Sequence, residues 1–99
     1  MEPRLPLVAC SLAADDQRAR LDAWASLLAS AASHAEVPDG ISYVFRPASV
    51  FARRVRDLAD AEHDCCAFLD FEIVEQNNEL RLTVTTHPTG QAALRFIFA

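Results

Sequence analysis

Ninety-nine residues, 52% of them hydrophobic and 23% charged, make one globular α+β-sized domain, with no room for a second core. A formal net charge of -5 and a pI near 5.0 repel phosphate backbones, which argues against nucleic acid as a partner. The one basic run, Arg53 to Arg56, is too short to reverse that field and reads as a solvated helix face.

No stretch approaches the ~18 consecutive apolar residues of a membrane span. The N-terminus also lacks the charged start and apolar run of a signal peptide, so the expected compartment is the cytoplasm. Three cysteines are an odd number for a disulfide framework in a reducing compartment, and the thiols are expected to be free.

In chain order, Arg4 to Cys10 alternates weakly around Pro3 and Pro6 and fits an edge strand or an extended arm. Ser11, Asp15 and Asp16 are start signals for a helix running to about Ser33, with Leu21, Trp24, Leu27, Leu28 and Ala31 forming its apolar stripe. Glu36 to Gly40 contains Pro38 and Asp39-Gly40 and reads as a turn. Ile41 to Arg46, rich in β-branched and aromatic residues, reads as a strand.

Pro47 suits the first position of a second helix, from Ala48 to about Phe68. Phe71 and Ile73, then Leu80, Leu82 and Val84, mark two strands around Gln76 to Glu79, where the Asn77-Asn78 pair suits a hairpin turn. Thr89 is placed to cap a last helix, Gly90 to Phe98, with Ala93, Leu94, Ile97 and Phe98 inward. The expected fold is α+β, a two-layer sandwich of a small, mainly antiparallel sheet and three helices in the order (β)αβαββα.

The second helix carries the chemistry. At ~100° per residue, Phe51, Val55 and Leu58 fall within about 60° of arc and define a core-facing stripe. Glu62 lies near the centre of that stripe, at about 20° from Phe51, with Cys65 and Cys66 at roughly -40° and +60°. A carboxylate in an apolar stripe is costly unless paired, hydrogen-bonded, protonated or wet. Glu at i with Cys at i+3 and i+4 sets three potential ligand atoms on one helical face.

Cys10, just upstream of the first helix, is a candidate third thiol. Three thiolates suit trivalent arsenic or mercury; two with a carboxylate or His63 suit zinc. Structural readings stand beside these: cysteine often packs as a small hydrophobe, Glu62 fits a wet lip of the sheet, and His34, His63 and His87 fit the surface. Trp24 reads as core.

C-x-x-C pairs, Gly-rich phosphate loops and dinucleotide fingerprints are all missing from the sequence, which leaves no nucleotide cofactor to expect.

The segment from Leu58 to Gly90, with Glu62, Cys65, Cys66, Phe68, Leu69 and Phe71, resembles a family of small bacterial proteins that share an E-x-x-C-C-x-F-[LF]-x-F motif. The likeness extends into the N-terminal ACSLAADDQRARLDAWASLL stretch. Similar segments accompany regulators of the mercury-responsive type, and the resemblance therefore implies metals. The family often has proline or arginine after the cysteine pair where this chain has Ala67, which implies a helix one or two residues longer here.

The leading expectation is a thiol-based binding protein for a soft ion (Hg, As(III), Zn or Cu(I)), with Cys65 and Cys66 as ligands, Cys10 a third, and Glu62 a ligand or a group beside them. A rival is a cysteine enzyme using Cys65 or Cys66 with Glu62 as base or proton donor. It is weakened because no strong cation neighbours the thiols and a carboxylate alone disfavours a thiolate. A third is an interaction module, in which an apolar sheet face, an exposed edge or the C-terminal FIFA forms a homodimer interface.

Overall fold

In the computed structural model, which describes residues 14–98, the chain runs α1 (Ala14–Leu28), β1 (Ser33–Val37), β2 (Gly40–Phe45), α2 (Ala48–Cys65), β3 (Asp70–Gln76) and β4 (Glu79–Thr85). A 3-10 turn (Pro88–Gly90) and α3 (Gln91–Ile97) complete it. The four strands form one antiparallel sheet in the order β1-β2-β4-β3, so the α+β class is observed. The arm expected over Arg4 to Cys10 lies outside the described residues.

Register explains where the core sits. Ile41, Tyr43 and Phe45 pair with Val84, Leu82 and Leu80, and Phe71 and Ile73 pair with Val84 and Leu82 on the other side. Alternate residues share a sheet face, and this face meets Trp24 and Leu27 of α1, Val55 and Ala59 of α2, and Leu94 beside Phe98 at the end of α3. Trp24 anchors the layer, stacked parallel to Phe71 at 6.0 Å between ring centroids and edge-on to Phe98 at 4.8 Å. The opposite face presents Ser42 and Thr83, joined by a 3.2 Å hydrogen bond, with Val44, Arg81, Glu72 and Val74 around them.

Several boundaries depart from expectation. The first helix stops at Leu28, and Ser33–Val37 is a strand, because residues with helix propensity find a ladder: Ala32 N–H donates to Val44 O at 2.7 Å, and β1 then pairs along β2. The expected turn is thus the tip of a hairpin, two residues long, with Asp39 at φ 66; aspartate tolerates that left-handed conformation. Gly40 follows for a different reason. A Cβ there would lie 1.8 Å from Val84 O, so only glycine lets β2 and β4 approach at this point.

The second helix ends at Cys65, short of Phe68, although Ala67 is no helix breaker. Cys66 leaves the helical region at φ -125, ψ 74 while its N–H still donates to Glu62 O. The chain must turn there to seat Leu69, fully buried, and enter β3 at Asp70. Pro47 flanks the helix as its N-cap and does not occupy its first turn.

The Asn77-Asn78 hairpin holds as expected, with both residues at positive φ (53 and 61), the signature of a two-residue primed turn. At the C-terminal end, Gly90 and not Thr89 is the N-cap of α3, while Ala93, Leu94 and Phe98 are buried. Among the described residues no helix is long and apolar enough to cross a membrane.

Candidate metal centre

The last turn of α2 turns its inner face into the protein. Its amphipathic stripe continues from Val55 through Ala59 to Glu62, which is 1% exposed despite its charge. Cys66 is equally buried, and Cys65 is half-buried. One ligand atom from each of Glu62, Cys65 and Cys66 lies within 4.8 Å of the others, close enough to hold a metal ion. The i, i+3, i+4 spacing therefore does what it implied. Cys10 lies outside the described residues, and the wet-lip reading of Glu62 does not survive its burial.

The two carboxylate oxygens of Glu62 face different ways. Oε1 accepts the indole N–H of Trp24 at 2.7 Å and stands 3.6 Å from Nη1 of Arg20. Oε2 is 3.1 Å from Cys66 Sγ, which is 3.5 Å from Cys65 Sγ. One oxygen is thus fixed from α1, and the other looks onto the sulfurs. This answers the cost of burying a carboxylate: it is paired and hydrogen-bonded.

Trp24 and Arg20 are the residues that sequence reasoning did not connect to the site. Both lie on α1, four positions apart and hence on one face, and a buried indole N–H needs an acceptor. That need was the available signal, since Glu62 was the acidic residue on a core stripe. Arg20 brings a cation to Glu62 and not to the sulfurs, on the side of Oε1. Its Nη1 is buried and makes no hydrogen bond among the described residues, facing Glu62 across the 3.6 Å ion pair.

The expectation of free thiols holds for Cys65 and fails for Cys66, which is disulfide-bonded. An odd cysteine count speaks against a framework of bridges, but one bridge needs only two sulfurs brought together by folding. A disulfide sulfur has no proton, so the 3.1 Å approach to Glu62 Oε2 becomes an S–H···O hydrogen bond when Cys66 is a thiol.

The histidines stay outside the group. His63 is exposed, with its Nδ1 at 3.1 Å from Leu69 O, and does not join the ligand atoms of its helix neighbours. His34 lies against the ring of Tyr43, and His87 meets the hydroxyl of Thr89. No family model matches the chain, and no curated protein or solved structure matches it either.

Proposed function

We propose that this protein binds a soft, thiophilic metal or metalloid ion through Cys65 and Cys66, with Glu62 as third donor or as the group that orients Cys66. The observation that carries the reading is the convergence of these three side chains within 4.8 Å on a single helical turn. Donors bound to one ion at ~2.3 Å stand roughly 3.3–4.6 Å apart, which the sulfur and carboxylate positions approach without moving the backbone.

The donor set selects the class of ion. Two thiolates favour Hg(II), As(III), Cu(I) or Zn(II), whereas Mg(II) and Ca(II) require oxygen shells. The carboxylate is already paired with Arg20 and hydrogen-bonded by Trp24, so the negative charge left for the ion comes mainly from the sulfurs. Binding releases the thiol protons, and affinity falls as the solution is acidified.

Native mass spectrometry of the reduced protein, titrated separately with Hg(II), Zn(II) and phenylarsine oxide, tests this directly. One ion per chain in the wild type and none in Cys65→Ser/Cys66→Ser is the expected result. Equal binding by the double variant would return the cysteines to packing.

A further inference from the structure

Resting on the reading above, we propose that the cargo of this site is a monosubstituted trivalent arsenical, R–As(III), held as a two-thiolate chelate by Cys65 and Cys66. On a continuing helix, neighbouring side chains splay by about 100° and the two sulfurs would diverge. Here α2 ends between them. Cys65 is its last residue, Cys66 leaves the helical region at φ -125, ψ 74, and the sulfurs stand 3.5 Å apart. The backbone that brings them together lies wholly within the described residues.

That separation implies a bond angle. With bonds of ~2.3 Å, a linear S–X–S unit needs its sulfurs about 4.6 Å apart, whereas a pyramidal centre with an angle near 100° needs about 3.5 Å. Hg(II) and Cu(I) favour linear coordination by two sulfurs; trivalent arsenic, with its lone pair, is pyramidal. Tetrahedral Zn(II) accepts a similar angle but asks for four donors in a closed site. Among the described residues three groups converge.

Charge points the same way. Two thiolates and an R–As(III) centre make a neutral unit, which leaves the Glu62–Arg20 pair as it stands. It adds no net charge beside side chains that are 1% exposed. A Cu(I) ion on the same sulfurs would leave one negative charge over. The arsenical brings its third bond with it, so no third thiolate is required, and its organic group leaves by the half-buried side of Cys65.

The step is an exchange of ligands at arsenic. R–As(OH)2 meets two thiols, two As–O bonds break, two As–S bonds form, and each hydroxyl leaves as water with one thiol proton. Arsenic stays trivalent, and no oxidant or reductant enters.

The test loads phenylarsine oxide or Hg(II), one-to-one, onto chain that has been reduced and freed of reductant anaerobically. Wild type, Cys10→Ser and Cys65→Ser are compared; Cys10→Ser leaves Cys65 and Cys66 as the only cysteines. Millimolar glutathione and then a small dithiol are added, and native mass spectrometry follows what stays bound. Wild type and Cys10→Ser should keep the phenylarsenic adduct against glutathione, yield it to the dithiol, and lose Hg(II) to glutathione. Cys65→Ser should hold the adduct about a hundredfold or more weakly, since one arm of the chelate is gone.

Retention of Hg(II) with loss of phenylarsenic overturns the arsenical and leaves the soft-ion site standing. Retention of both, or loss of both, to glutathione overturns the choice of arsenic by angle. Loss of the adduct in Cys10→Ser overturns a chelate of two sulfurs. Binding of neither by wild type, before any glutathione is added, removes the site itself.

Discussion

The indole N–H of Trp24 donates to Oε1 of Glu62 at 2.7 Å, tying two helices together across 38 positions of sequence. The same indole is the central ring of the core, so the bond couples packing to the candidate site. Trp24→Phe keeps a ring but removes the donor and leaves a gap. It should lower stability by at least about 2 kcal/mol, since hydrogen bonds to charged groups are the stronger kind. Urea unfolding checks this, and an unchanged midpoint would show that the bond contributes nothing.

Replacing Glu62 by Gln preserves shape while removing the charge that faces Arg20. Arg20 is 21% exposed, so water softens the loss, and a destabilisation of about 1–2 kcal/mol is expected, below the range for fully buried pairs. Soft-ion affinity of the reduced protein should fall about tenfold or more if the carboxylate is a ligand or holds Cys66. Stability and affinity measured on one preparation separate the two effects.

The cysteine pair predicts an asymmetry. Cys66 is 1% exposed and Cys65 half-buried, so iodoacetamide should label Cys65 first in the reduced, folded protein. Cys65→Ser should leave the unfolding midpoint within about 0.5 kcal/mol of wild type, as at other partly exposed positions, while abolishing tight Hg(II) binding. Peptide mapping after brief alkylation reads the order, and faster labelling at Cys66 would contradict the burial.

Much of this site was legible in the chain because α2 is regular: a fixed angle per residue carries the stripe from Phe51 to Glu62 and the cysteines. What lay across space was not. Arg20 and Trp24 reach Glu62 only once α1 packs beside α2, and no local pattern encodes that pairing. The same limit hid β1, whose alanine and serine residues become a strand through hydrogen bonds to β2. The end of α2 was misplaced because Leu69, a distant core demand, decides it more than Ala67 does.

One surface pair makes a pH prediction. The Arg95 guanidinium grips Glu36 through two hydrogen bonds of 2.8 and 2.7 Å and holds its carboxyl below the ordinary value of 4.5. A carboxyl whose folded pKa is depressed contributes stability above its unfolded value and loses it as pH falls through the folded one. Wild type and Glu36→Gln should therefore differ at pH 7 and differ less at pH 3, by a small amount because both side chains are exposed. Thermal midpoints at the two pH values check the sign.

Gly40→Ala should be among the most damaging single substitutions. Its Cβ would meet the Val84 carbonyl, which belongs to the backbone of the central ladder and cannot swing aside. A loss of about 3 kcal/mol, at the upper end of overpacking costs, is expected. Differential scanning calorimetry reads it, and a wild-type midpoint would mean that β2 and β4 can separate without cost.

The uneven burial of the three donors also sets an order of events. Cys65 is half-buried, whereas Cys66 and Glu62 are 1% exposed, so the Cys65 sulfur is the one water reaches most readily. For an ion bound as proposed, capture would be sequential, with a first bond at Cys65 and a later exchange toward the two buried groups. Uneven burial of this kind would then select by kinetics as well as by affinity, because a species reluctant to shed water would leave after the first bond.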